Sequence, residues 1–308
     1  MCQPDSNWLY VGAVTAGVSP DGYRPEDYPP FAVTVDIVVL TLVDQRLHVL
    51  LVQRHGEPFA GAWALPGGFV KEHESLEAAA DRELQEETGV EAAEHLEQLG
   101  AYGEADRDPR MRVVTVAYLA VLRHVDGHRA GGDAADTALV PVADVLSSRR
   151  RPLAFDHRRI LEDAVARLSD KLEHTSLATA FVGPEFTLSE LRTVYEASWD
   201  TPLDPGNFRR HMLRADILSP TGETRPPGPE GGKPGEVYRL EVPASAPLPR
   251  PLRRPDRARP AAAAASAPPV AAAPLLAAAA VPDEEDDGSG RRRRRRPTGS
   301  KGESPADA

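Results

Sequence analysis

Glu83, Glu86 and Glu87 stand at i, i+3 and i+4 in the stretch GGFVKEHESLEAAADRELQEETGV, residues 67–90. On a helix turning about 100° per residue, Glu83 and Glu87 share the face of Leu76 and Ala80. Glu86 lies beside Glu83, and Leu84 lies at the edge of the face. The stripe is therefore apolar in its first turns and anionic in its last. A solvated helix carries its charges opposite the apolar side, and like charges at this spacing repel one another. Arg82 can offset part of that charge, but one arginine cannot neutralise three acids. A divalent cation can. Oxygen-only ligation fits Mg²⁺ or Mn²⁺, and Mg²⁺ keeps waters and takes phosphate oxygens as further ligands. The helix thus predicts a phosphate-bearing substrate. The Pro66-Gly67-Gly68 turn before it lets a backbone carbonyl or amide approach metal or phosphate directly.

The elements that must position these acids can be read on either side. Residues 31–53 read as two strands, FAVTVDIVVLTL and LHVLLVQR, joined by a turn at Asp44–Arg46. Strand-like RVVTVAYLAVL (112–122) and ALVPVADVL (138–146) follow the glutamate helix. This irregular alternation points to an α+β fold or an α/β/α sandwich. Arg54 and His55, at a strand end, could meet substrate phosphate or lie on the surface. Glu104, Asp106 and Asp108, in GEADRDPR, are candidates for a further acid, with a solvated loop the alternative for each.

Gly68, then Glu74 after five residues, then Arg82-Glu83-Leu84-Gln85-Glu86-Glu87-Thr88-Gly89-Val90 after seven, resembles a complete Nudix box. The flanking PFAGAWALPGGFV is similar to the strand and turn that lead into it. The resemblance implies a Nudix fold, an α/β/α sandwich within an α+β chain, and hydrolysis of a nucleoside diphosphate linked to another group, ADP-ribose or a relative. It implies metal ligation by Glu83, Glu86 and Glu87, with Glu83 or a neighbouring carboxylate activating water. Gly68 would offer a backbone carbonyl, Arg82 would orient the glutamates, and Glu74 and Gly89 would be structural.

The chain continues well past such a domain. Asp156 opens HRRILEDAVARLSDKLEHT, whose Ile160, Leu161, Ala164, Val165, Leu168 and Leu172 form one apolar stripe. This reads as a packing helix that joins two domains. TLSELRTVYEAS begins with a Thr187-x-x-Glu190 capping box, and DPGNFRRHMLRADIL with Asp204 as N-cap and Pro205 in the first turn. Two helices and a tight turn suggest a helix-turn-helix, with DILSPTG and GEVYRL as a wing. This half is similar to the winged-helix part of the Nudix-related regulators of NAD metabolism. Asn207, Arg209, Arg210, His211 and Arg214 on the second helix are candidates for reading double-stranded DNA, since Arg and Asn read base edges and basic groups hold phosphates. A basic helix in an accessory domain is the alternative.

The expected organisation is a lead-in over 1–30, the Nudix domain over 31–150, a connecting helix over 151–180 and the winged helix over 181–242. A Pro/Ala-rich tail over 243–308, with six arginines at Arg291–Arg296, is expected to be disordered. The formal net charge of −11 shows that any nucleic-acid contact must be local, and the single Cys2 excludes an internal disulfide framework. The apolar Trp8–Val18 is too short to span a bilayer. A cytoplasmic homodimer without membrane contact is expected. On the residues alone, the hydrolase reading leads because the three acids are intact. A DNA-binding regulator that senses the nucleotide is the alternative.

Overall fold

The strand assigned from 31 onward forms as β1 (Ala32–Val43), and β2 (Arg46–Arg54) returns antiparallel to it. Asp44 and Gln45 both take left-handed φ, 47° and 60°, the conformation of a tight two-residue hairpin. The computed structural model describes residues 29–90, 93–125, 134–148, 152–226 and 233–255. The short β3 (Trp63–Ala64) pairs with β2, and β4 (Gly67–Phe69) pairs with β1. Helix α1 (Leu76–Thr88) follows, then β5 (His95–Tyr102), β6 (Val113–Val121) and β7 (Ala134–Pro141). The sheet runs β3-β2-β1-β6-β5, with β1 and β6 parallel and β7 paired to β2.

Alternation along β1 divides two cores. Val35, Ile37 and Val39 pack with Ala79, Ala80 and Leu84 of α1 on one face of the sheet. Val38 and Leu40 point to the other face. That second face carries α2 (Val142–Ser147) and α3 (His157–His174). The result is the expected α/β/α sandwich.

Two local expectations are corrected. ALVPVADVL is a strand only to Pro141. A proline cannot extend the ladder, and Val142 and Val145, three apart, bury one side of a short helix instead. Strand β5 escaped the sequence reading because HLEQLGAY lies at the edge of the sheet and alternates poorly.

Ser75 caps α1 by accepting from Ala78 N–H at 3.2 Å, and Gly89 ends it at φ 75° while donating to Gln85 O. A β-carbon on Gly89 would touch nothing within 4 Å. Gly89→Ala therefore isolates the cost of a left-handed backbone, expected at about 1–2 kcal/mol. Chemical denaturation measures it directly.

α3 carries the expected stripe. Ile160, Leu161, Ala164, Leu168 and Leu172 are buried, and Val165 is partly buried. Each fully buried aliphatic side chain is worth about 1.5–3 kcal/mol over exposure, so α3 is a core element rather than a free linker. Its cluster also contains Phe186, Leu188, Leu191, Tyr195, Trp199, Phe208 and Met212 from the C-terminal half. A 3-10 turn (Ser176–Phe181) leads into that half, which comprises β8 (Glu185–Thr187), α4 (Leu188–Trp199), α5 (Pro205–Arg214), β9 (Leu218–Arg225) and β10 (Gly235–Leu240). The three strands form a sheet in the order β8-β10-β9, the wing of a winged helix. The capping box closes reciprocally: Glu190 N–H donates to Thr187 Oγ1 at 3.2 Å, and Thr187 N–H to Glu190 Oε2 at 2.7 Å.

Residues 243–255, expected without structure, instead run along α3. Leu248 N–H donates to His174 O at 2.7 Å and Leu252 N–H to Glu173 O at 2.9 Å. Leu248 is buried, which gives this Pro-rich segment an anchor that composition alone does not reveal. The expected lead-in over 1–28 and the expected tail over 256–308, including Arg291–Arg296, lie outside the described residues.

Candidate functional site

The Gly67-Gly68 turn lies against the end of α1. A β-carbon on Gly68 would overlap the Glu83 carboxylate, 2.6 Å from its Cδ. One on Gly67 would overlap Val35 O and lie 2.9 Å from Asp36 Oδ1. Only glycine lets the backbone come this close. Gly67 N–H donates to Glu87 Oε2 at 3.0 Å. Glu83 and Glu87 are buried on the apolar side of α1 as their spacing predicts, while Glu86 is half exposed.

Arg82 binds the acids together. Its Nη1 donates to Glu83 Oε1 at 2.7 Å and Glu86 Oε2 at 3.1 Å. Its Nε and Nη2 grip Glu74 at 2.9 and 2.6 Å, and Nη2 also reaches Phe69 O at 3.2 Å. Hydrogen bonding to this guanidinium holds the Glu74 carboxyl down at about 2. Glu74 is thus a strut for Arg82, and its hydrogen bond raises the guanidinium pKa further. Among the described residues, no three carboxylate, imidazole or thiol groups surround a common point. The donor set is nonetheless all oxygen, anionic and packed against a glycine backbone, which fits Mg²⁺ or Mn²⁺. Glu83, Glu86 and Glu87 would hold such a cation by turning from Arg82 and the Gly67 amide, with the Gly68 carbonyl adjacent.

Of the further acids, Asp108 is the buried one. It is held by Arg110 through Nε at 3.1 Å, Nη2 at 2.7 Å and the backbone N–H at 2.9 Å. Asp106 is exposed, and Glu104 is exposed and pairs with Arg159 at 3.2 Å. Arg54 is half-buried, stacks 4.9 Å over the Phe155 ring and donates to Pro58 O at 2.9 Å. Burial lowers its pKa first and the Arg110 charge second, while Glu87, Asp108 and Asp36 oppose the shift. Arg54 thus lies within electrostatic reach of Arg110 and of Glu87, Asp108 and Asp36. His55 is exposed and makes no such contact.

Sequence reasoning missed the polar cluster beneath the turn. Asp36 Oδ2 pairs with Arg107 Nη2 at 3.2 Å, and Arg107 grips Asp156 at 2.7 and 3.2 Å. Asp156 stands at the N-cap of α3 but makes no side-chain cap bond, because Arg107 takes its carboxylate. His157 Nδ1 accepts Leu65 N–H at 2.9 Å, so Nε2 carries the proton and faces Asp36 Oδ1 at 3.4 Å. The available signal was Asp36, a charge in the middle of an apolar strand.

Burial depresses the His157 pKa below that of an ordinary imidazole, outweighing the attraction of Asp36. The folded state then refuses a proton that the unfolded chain takes. Its contribution to stability is present above about pH 6.5 and is lost as the pH falls. His157→Gln removes that linkage. Between about pH 7.5 and 5.5 the wild type is expected to lose more unfolding free energy than the variant. Parallel pH profiles would contradict this.

The candidate DNA-reading helix, α5, buries Phe208 and Met212. Asn207, Arg210 and Arg214 point away from that side and are exposed. Asn207 N–H donates to Asp204 Oδ1 at 2.7 Å, and Arg210 Nη2 contacts the Asn207 side chain. Arg209 and His211 flank this face and are already engaged. Arg209 pairs with Glu236 of the wing at 3.3 Å, and His211 Nε2 meets Arg250 O at 3.1 Å. The five sequence candidates therefore divide into three that face outward and two that brace the wing and the following segment.

The sandwich with its glutamate helix, joined through α3 to a winged helix, defines a Nudix protein carrying a DNA-binding fold. Two families match it: the NUDIX domain over residues 30–164 and the NrtR DNA-binding winged helix domain over residues 178–240. The chain belongs to the family of NrtR transcriptional regulators of NAD metabolism. It is 35% identical over 222 residues to the ADPR responsive transcriptional repressor NtrR of Acinetobacter baylyi, covering 71% of this chain and 86% of that protein. The Shewanella oneidensis NrtR structure complexed with a 27mer DNA is 38% identical with a TM-score of 0.62, covering 72% of this chain and 99% of that one. An ADP-ribose pyrophosphatase of Methanocaldococcus jannaschii is 36% identical over 128 residues, 41% of this chain and 71% of that protein. No described helix is long and apolar enough to cross a membrane.

Proposed function

We propose that this chain is a DNA-binding transcriptional regulator whose Nudix domain binds ADP-ribose or a related nucleoside diphosphate. The observation that carries this reading is the outward face of α5, where Asn207, Arg210 and Arg214 lie together while Phe208 and Met212 anchor the helix. The similarity to an ADPR responsive repressor across both halves supports it, and reverses the order in which the residues alone ranked the two functions. The reading takes 31–150 as the nucleotide domain, 151–180 as the connector and 181–242 as the DNA reader, in a cytoplasmic homodimer. A dimer would present two α5 helices to two half-sites.

The same cleft supports a second activity, cleavage of the bound pyrophosphate. The full set favours it, Glu83 and Glu86 held by Arg82 and Glu87 by the Gly67 N–H, since a site that only binds needs no such concentration of repelling acids. A divalent cation there would draw charge from the pyrophosphate oxygens. The chain's own part is to hold the acids, bring the glycine backbone close and place Arg54 and Arg110 near the anion.

The test is binding of the full chain to labelled DNA from upstream of its own gene. Affinity is expected to fall steeply with salt, as phosphate contacts require. If no fragment binds in a salt-sensitive way, the winged helix is an accessory domain.

A further inference from the structure

We infer that Asp156 and His157 are positioning residues through which occupancy of the nucleotide cleft reaches the DNA-reading domain; this rests on the regulator reading above. Both sit at the first turn of α3, outside the glutamate helix. His157 accepts the Leu65 N–H two residues before Gly67, and Asp36, facing it, lies against Gly67. Gly67 in turn donates to Glu87. A short chain of bonds thus runs from the acids, through the glycine turn, to the start of α3.

The loop between β5 and β6 makes a second connection. It holds the buried Asp108, and the N-cap and two residues of α3 bind it or its flank along one side of the helix. Asp156 pairs with Arg107, Arg159 with Glu104, and Asp163 Oδ2 accepts from Tyr102 Oη at 3.0 Å. Phe155, immediately before, is held at φ 51°. That left-handed backbone is strained for a bulky residue. Arg54 stacks on its ring, and Arg54 also feels the charges of Glu87 and Asp108. Any diphosphate that draws the Arg54 guanidinium toward itself, or takes the Gly67 N–H from Glu87, therefore pulls on groups that fix the start of α3.

The other end of α3 belongs to the DNA-binding half. Trp199 Nε1 donates to Ser169 O at 3.4 Å, and α3 shares one apolar cluster with α4 and α5. Packed interiors transmit displacement instead of absorbing it. A shift at Asp156 and His157 must move Trp199 and, through Tyr195 and Phe208 (ring centroids 5.4 Å apart), the base of α5.

The experiment measures the DNA affinity of the full chain with and without saturating ADP-ribose, for wild type, Asp156→Asn and His157→Gln. Their ratio is the coupling factor, for which about 5–150-fold is usual. Both variants are expected to retain DNA and nucleotide binding but to reduce that factor at least about threefold. Asp156→Asn removes a charge without changing shape and carries the test if His157→Gln folds poorly. Arg158→Ala is the control. Arg158 donates to Val145 O, Leu146 O and Ser148 O from the same turn of α3 but lies outside the cluster, so its loss is expected to leave the factor unchanged. A wild-type factor that persists in both variants overturns this inference alone. A reduction as large in Arg158→Ala also overturns it, because general loosening of α3 would then explain the effect. A wild type whose DNA affinity ignores ADP-ribose overturns the regulator reading and this inference with it.

Discussion

Glu86→Gln is expected to lower Mg²⁺- or Mn²⁺-dependent cleavage of ADP-ribose by about a hundredfold or more, the scale on which positioned catalytic groups act. The substitution keeps the helix and the side-chain volume while removing one anionic ligand. Glu86 is half exposed, and its partners are Arg82 at 3.1 Å and Lys71 at 3.9 Å. The unfolding midpoint is therefore expected to move little, since exposed pairs contribute about 0–1 kcal/mol. A large fall in turnover with an unchanged midpoint separates chemistry from folding. Wild-type turnover in the variant would remove Glu86 from the metal site.

The second large effect concerns DNA. Arg210→Ala and Arg214→Ala together are expected to weaken binding to the upstream fragment by about a hundredfold, from roughly 1–3 kcal/mol for each lost base contact or a smaller sum for phosphate contacts. If both hold phosphates, the slope of log K against log salt falls by about 1.8. If one reads a base, the slope changes less and sequence preference relaxes. Arg209→Ala serves as contrast. Its Glu236 partner places it on the wing, so its loss is expected to matter less than that of Arg210. An Arg209 effect larger than that of the Arg210 and Arg214 pair would mean that α5 meets DNA by another face.

Much of this architecture is visible in the chain because its signals are local. Ser75, Gly89 and the Thr187–Glu190 box mark helix ends through bonds spanning three or four residues. The placement of Glu83 and Glu87 on the buried side follows from helical periodicity alone. The cluster under the glycine turn could not be read this way. Asp36 and Arg107 lie 71 residues apart, Arg107 and Asp156 49 apart, and Leu65 and His157 92 apart. Only tertiary packing brings them together, and only Asp36, alone among aliphatics, hints at them. Asp156 shows the cost of local reasoning. Its position suits an N-cap, but a buried arginine from another loop takes its carboxylate. His211 likewise fits a DNA-reading pattern until residue 250, brought alongside by the segment after the wing, supplies a carbonyl.

The central claim is that one molecule couples nucleotide in the Nudix cleft to DNA at α5. The most direct measurement uses Glu86→Gln, so that ADP-ribose is not consumed, and determines ADP-ribose affinity by calorimetry on the free protein and on its complex with saturating upstream DNA. Thermodynamic linkage requires the factor by which DNA weakens ADP-ribose binding to equal the factor by which ADP-ribose weakens DNA binding. The predicted result is a DNA-bound protein that binds ADP-ribose about 5–150-fold less tightly, matched by the same factor from the DNA side. Equal ADP-ribose affinity with and without DNA would contradict the account and leave a nucleotide-binding domain joined to an independent DNA-binding one.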